Sequence, residues 1–353
     1  MDQQEANQLT FAGGVLILEQ LPVGSEFGFD CVVHQVGGKF KGIKMIPPGL
    51  HFVYFSIRSS EGQLSPRSGF FAQFEAQQCL IKVFDPSTEE LDDRLISREM
   101  TNKYQFANLP YFDQNLAPYS LDKYRDWLRL SNYIDATLLK DVQPLNGLID
   151  CVSHQLPQKF ISNRQDGQQM DITQSEDPER CIRFTPIPNR FSHPDNCSSS
   201  DLSEHSRDSS FTLQSLIQNR SENFVLGELQ FAFVTFLFCH VYESFEQWKR
   251  LLRLFCHCRR LPKQNPQLFV KLISTLHFQM QHVQPDLFVD IVDSENFLYQ
   301  TLREFFENLA SAEVGELNEQ LLQRADRFKN HLKESMDWDL ETELEDEAPV
   351  IVE

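Results

Sequence analysis

The side chains best able to do chemistry gather in two places. Cys239 and His240 are adjacent, and "FCHCRR" sets Cys256, His257 and Cys258 in a row. Cysteine and histidine are the usual zinc ligands, but a tetrahedral site needs a second pair at suitable spacing. On one helix the two clusters would stand about five turns apart, too far to share an ion. The alternative is that Cys239 and Cys256 are small buried hydrophobes. His34, His51, His154 and His193 lie on different segments without an evident nucleophile, and Cys79 and Cys151 have no signature around them. "GGKFKG" lacks the spacing of a phosphate-binding P-loop. No hydrolase, zinc-protease or dinucleotide fingerprint occurs. The expectation is no enzyme, no cofactor and no metal, with a Cys/His site assembled only in space left as an alternative.

The elements that carry these residues change character along the chain. "LQFAFVTFLFCHVY" (Leu229–Tyr242) is uncharged, yet its 14 residues fall short of the ~20 that cross a bilayer. A helix apolar all round but too short to span is a core helix. Beyond it, Phe245, Trp248, Leu252 and Phe255 recur at helical spacing. Phe231, Phe233, Phe236, Leu237 and Trp248 are therefore expected to be buried. Before Asp85, short apolar runs alternate and are punctuated by turns: Gly14–Gln20, Leu50–Arg58, and two strands in Gly69–Asp85. An antiparallel sheet, best a sandwich, follows. Asp85-Pro-Ser-Thr-Glu-Glu reads as a helix start, with the helix running to about Tyr104, and Pro118–Val142 reads as two more helices with Ser120 and Ser131 as N-caps.

The organisation predicted is α+β. A β-rich domain with flanking helices fills 1–142, a polar linker 143–208, an all-α domain 209–332 and an acidic tail 333–353. Within the linker, "CIRFTPIPNR" reads as extended, since Pro186 and Pro188 prevent helix. Ser198, Ser200 and Ser203 stand near acidic residues as candidate phosphorylation sites. From Lys333 onward the tail holds nine acidic residues against one basic, and it closes on Val350, Ile351 and Val352. A mobile acidic segment ending in β-branched residues suits addition to a partner's sheet edge, so Trp338, Val350, Ile351 and Val352 are candidate contacts.

Charge narrows the partners. The chain of 353 residues carries a formal net charge of −19. That repels phosphate backbones and disfavours direct RNA binding. The turn Lys39–Lys44, with Phe40 interleaved, is the one stretch that could act as an RNA-binding module. Eight cysteines without a disulfide pattern, and an N-terminus without a basic leader, point to a reducing intracellular compartment.

Two stretches resemble a known family. "GSEFGFD…VGGKFKGIKMIPPGLHFVYFS" (Gly24–Ser56) and "LGELQFAFVTFLFCHVYESFEQWKRLLRL" (Leu226–Leu254) are similar to the signatures of the AAR-two splicing-factor family. "PDLFVDIV" and "DWDLETELEDEAPVIVE" match in order and position. The resemblance implies a β-sandwich joined to a superhelical, VHS-like helical domain. It also implies a non-catalytic assembly chaperone of the U5 small nuclear ribonucleoprotein. Such a protein would bind the Prp-eight scaffold at its RNase H-like and Jab/MPN-like domains until a helicase subunit replaces it. It would work in cytoplasm and nucleus, without a membrane, and as a monomer when free.

Overall fold

The computed structural model describes residues 3–59, 61–151, 179–188, 192–193, 207–283, 292–312, 315–338 and 340. The chain divides into two compact units, one formed by 1–183 with 234–244, the other by 184–233 with 245–353. It is an α+β protein, with its sheets in the first unit and helices throughout the second.

In the first unit, strands β1 (Gly14–Glu19), β2 (Glu26–Phe29), β3 (Val32–Gln35), β4 (Gly42–Ile46), β5 (Gly49–Ser56), β6 (Ser68–Phe74), β7 (Cys79–Asp85), β8 (Glu90–Leu91), β9 (Leu116–Pro118) and β10 (Ile149–Asp150) make two five-stranded sheets. The order β10-β6-β5-β2-β3 is antiparallel throughout. The order β8-β7-β1-β4-β9 is mixed, with β1 parallel to β7 and β4 parallel to β9. Leu16 and Leu18 of β1 join Phe27, Phe29, Val53 and Phe74 of the other sheet in one core. The opposite face of β1, Val15 and Ile17, packs with Tyr104, Leu109 and Phe112. Covered on both faces, "GVLILE" has no room for polar alternation, which is why it reads as an unbroken apolar run.

The expected helix from Asp85 to Tyr104 is mostly something else. The Asp85 carboxylate accepts the Ser87 backbone N–H at 2.8 Å, and Glu89 takes a left-handed φ of 58°. This Asx turn links β7 to β8. Only Arg98–Lys103 forms an α-helix, capped by Ser97. A short polar side chain before acidic residues serves a turn as well as a helix start. Further on, a helix covers Leu121–Ser131 and another Ala136–Val142. The second is capped by Asp135, whose carboxylate accepts the Leu138 N–H at 2.8 Å; Ser131 ends the first helix rather than starting the second, and Ser120 makes no capping hydrogen bond.

The second unit contains residues 222–233 of the helix Glu222–Cys239 and 245–256 of the helix Tyr242–Cys256, whose facing ends belong to the first unit, together with the helices Ser210–Asn219, Pro266–His282, Val292–Ala310 and Glu319–Met336. Among the described residues, Glu222–Cys239 is the helix long and apolar enough to cross a membrane, but 72% of it is buried inside the protein. Phe231, Phe233, Phe245 and Trp248 are fully buried, and the indole N–H of Trp248 donates to Gln279 Oε1 at 3.0 Å. Phe236 and Leu237 differ from expectation and are only half-buried. The helix closes one turn later, where His240 takes a left-handed φ of 57° and its N–H meets the Phe236 carbonyl at 2.8 Å. The last helix runs to Met336, beyond the residue where the tail was expected to begin.

Candidate interaction surfaces and their supporting polar sites

The cysteine clusters are buried. Cys258 donates to the Leu254 carbonyl at 3.3 Å and lies 3.3 Å from Ser209 Oγ. Burial pushes the Cys258 thiol up to about 12 and that of Cys256 well above its ordinary value. The His257 ring lies 2.9 Å from the Arg253 carbonyl and 2.9 Å from Glu304 Oε2. Burial, the largest single effect, would raise Glu304, but the hydrogen bond from His257 and the attraction of His257, Arg259 and Arg253 together hold the carboxyl below its usual range. Cys239 is buried against the Gly69 backbone of β6. Among the described residues no three His, Cys, Asp or Glu side chains come together as metal ligands.

The basic turn is partly neutralised. Lys41 Nζ donates to Glu19 Oε2 at 2.5 Å, and Lys44 Nζ to Asp113 Oδ1 at 2.6 Å, leaving Lys39 as its exposed lysine. Glu19 also accepts from Tyr104 Oη. Burial favours the neutral acid, but the bonds from Lys41 and Tyr104 prevail and lower the Glu19 pKa. Two of the three lysines are thus struts between strands and the segment that packs on them.

A buried polar cluster escaped the sequence reading. Asp30 and His51 are 1% and 0% exposed. Asp30 Oδ2 lies 2.7 Å from His51 Nδ1 and accepts from Tyr119 Oη at 2.8 Å; Asp30 Oδ1 accepts the Phe52 N–H at 2.9 Å. His51 Nε2 faces the Pro47 carbonyl at 2.8 Å. A carbonyl can only accept, so Nε2 carries a hydrogen, and the contact between Nδ1 and the carboxyl shares one more. Phe29, Phe74, Tyr124 and Trp127 enclose the imidazole. With no nucleophile in this set, the arrangement braces two turns and a helix. His51 stands on an alternating strand and Asp30 after "FGF", so spacing alone offered no signal for the pair.

In the second unit the Glu228 carboxylate, 1% exposed, holds the extended segment that follows Arg183. It accepts the Thr185 N–H at 2.9 Å and the Thr185 hydroxyl at 2.6 Å. Gln247 Nε2 donates to the Thr185 carbonyl at 2.9 Å and to Glu228 at 2.8 Å. Trp338 lies edge-on to Tyr299 with ring centroids 5.8 Å apart, and Leu340 is buried. Val350, Ile351 and Val352 lie outside the described residues, as do Ser198, Ser200, Ser203 and His154.

The architecture is that of a two-part α+β protein in which Asp30 with His51, and Glu228 with Gln247, hold turns, a helix and an extended segment in place. Family comparison places each half. Residues 12–144 match the AAR2 N-terminal domain, and residues 184–341 the AAR2 C-terminal repeat region. A mouse protein named AAR2 homolog is 35% identical over 376 aligned positions, covering 100% of this chain and 97% of its own. A Caenorhabditis elegans AAR2 homolog is 32% identical, covering 93% and 94%. A Saccharomyces cerevisiae relative named A1 cistron-splicing factor AAR2 is 25% identical over 72% of each chain. The chain belongs to the AAR2 family.

Proposed function

We propose that the protein is a non-catalytic assembly chaperone in pre-mRNA splicing. It binds the Prp-eight scaffold, at its RNase H-like and Jab/MPN-like domains, during assembly of the U5 particle. It holds the scaffold until a helicase subunit takes its place, and works in both cytoplasm and nucleus. The observation that carries this reading is the match of both halves to one family that includes a named splicing factor in yeast. The chemistry is in accord: the described thiols at Cys239, Cys256 and Cys258 are buried, and Lys41 and Lys44 carry carboxylate partners. A net charge of −19 steers such a protein toward basic protein surfaces rather than RNA.

The acidic tail is proposed as a docking strand, with Val350, Ile351 and Val352 adding to a sheet edge of the scaffold and Trp338 at its root. Phosphorylation of Ser198, Ser200 and Ser203 is proposed to tune the linker by charge. Capture of nuclear proteins on the immobilised chain tests the main reading. Prp-eight should be recovered, and recovery should survive ribonuclease. Recovery that vanishes with RNA, at a steep salt dependence, would favour RNA binding through Lys39–Lys44 instead.

A further inference from the structure

The contact at Thr185 reads a peptide in more detail than fastening a loop requires. All three polar groups of one residue are bound: N–H and hydroxyl by Glu228, carbonyl by Gln247. Both reading side chains are buried, at 1% and 3% exposure, and Gln247 also donates to Glu228, so the pair is braced by a bond of its own as well as by those to Thr185. A buried carboxylate is costly, and a loop can be pinned with apolar contacts alone. What Glu228 adds is discrimination, because Gln247 and the Thr185 N–H share Oε1 while Oε2 takes the Thr185 hydroxyl, a donor that a Val in its place lacks. One residue earlier, Phe184 meets Phe231 edge-on with centroids 6.0 Å apart. One residue later begins Pro186-Ile187-Pro188, which favours extended backbone and has little conformational entropy to lose. Residues 184–188 form no helix or strand. Aromatic anchor, hydroxyl reading and extended proline segment are the parts of a linear-peptide site.

We propose that Glu228, Gln247 and Phe231 form a peptide-recognition site, that the chain's own Phe184–Pro188 is its resident ligand, and that an extended partner peptide of the type aromatic, Thr or Ser, then Pro exchanges into it. The resident segment competes from within the same chain at an effective concentration of about 1 mM, so the site is closed to weak peptides and opens when the resident is loosened. This holds whatever the identity of the splicing partner.

The test uses the full chain and a fluorescein-labelled peptide of sequence RFTPIPNR, followed by fluorescence anisotropy. Thr185→Val removes one donor from the resident while keeping its shape. The labelled peptide should bind this variant at least tenfold more tightly than wild type. Adding Gln247→Ala to the variant should abolish the gain, and a peptide with Val in place of its Thr should bind neither protein. If Thr185→Val lowers the melting temperature so far that the chain is unfolded, Phe184→Ala takes its place as the opening variant. Equal binding to wild type and opened variant, absence of binding to either at about 1 mM peptide, or indifference to the Thr-to-Val change in the peptide would overturn the proposal.

Discussion

Asp30 Oδ2 and His51 Nδ1 lie 2.7 Å apart in the core of the first unit. Burial pushes the Asp30 carboxyl above its usual range, although His51, Phe52 and Tyr119 all donate to it or share a proton with it. The sign of the pH dependence follows. An acid whose folded pKa is raised contributes most below its unfolded pKa of about 4, and loses that contribution as pH rises through the folded value. Asp30→Asn stays neutral throughout. The unfolding free energy of wild type minus that of Asp30→Asn should therefore fall as pH is raised from about 4 upward. Denaturant titrations across that range read it out, and a difference that rose with pH would contradict the assignment. Asp30→Ala, which strands the Phe52 N–H, the Tyr119 hydroxyl and His51 together, should cost about 3–5 kcal/mol near pH 4 and, by the same linkage, less as the pH rises.

Trp248 and Phe233 face each other at 5.8 Å between centroids and are buried. Replacing either with Ala should cost about 3–5 kcal/mol. Phe236→Ala should cost roughly half that, since its ring is half-buried. Chemical denaturation with an unchanged m-value is the readout. A Phe236→Ala variant as damaged as Trp248→Ala would mean that Phe236 belongs to the same core.

Gly42 and Gly38 make a sharper contrast within one turn. Gly42 has a φ of 142°, and a Cβ there would stand 1.8 Å from the Leu16 carbonyl oxygen. That oxygen belongs to the neighbouring strand backbone and cannot step aside. Gly42→Ala should destabilise the first unit by about 3 kcal/mol or more. At Gly38 a Cβ meets nothing within 4 Å, so Gly38→Ala should stay within about 1 kcal/mol of wild type. Thermal melts of the two variants decide the matter, and equal melts would show that the β1–β4 approach is looser than described.

Cysteine alkylation tests whether the Cys256–Cys258 cluster is reactive. Burial pushes the Cys258 thiol up to about 12, so thiolate is scarce at neutral pH. Iodoacetamide should label Cys256 and Cys258 only in denaturant, as read by peptide mass spectrometry. Rapid labelling of either in the native protein at pH 7, or stoichiometric zinc protecting them, would revive the Cys/His alternative.

Much of the fold is legible where one physical signal dominates. The all-round apolar run at Leu229 announces a core helix, and Leu50–Arg58 announces a strand by its β-branched and aromatic residues, although β5 is buried on both faces from His51 onward. Parallel pairing of β1 with β7 is not legible. The partners are about 60 residues apart, and nothing in either strand encodes which edge the other takes. Asp85 misled because one carboxylate serves an Asx turn and a helix cap equally well. The polar sites were hidden for a related reason. Asp30 with His51, and Thr185 with Glu228 and Gln247, are brought together by tertiary packing, so no local spacing marks them. The acidic tail was legible as composition, yet the contacts of Trp338 with Tyr299 and the burial of Leu340 were not.

Those contacts decide where to cut the chain in the measurement that bears most directly on the proposed function. Removal of residues 341–353 leaves Trp338 and Leu340 in place, so it separates loss of the tail from damage to the second unit. Purified full-length and truncated protein should be titrated by calorimetry against a Prp-eight fragment carrying its RNase H-like and Jab/MPN-like domains, with no RNA present. Full-length protein should bind, and the truncation should weaken binding at least tenfold, about 1.4 kcal/mol, with an unchanged melting temperature. No binding by the intact chain would contradict the assembly-chaperone function itself; equal affinity for both forms would contradict the docking role of the tail.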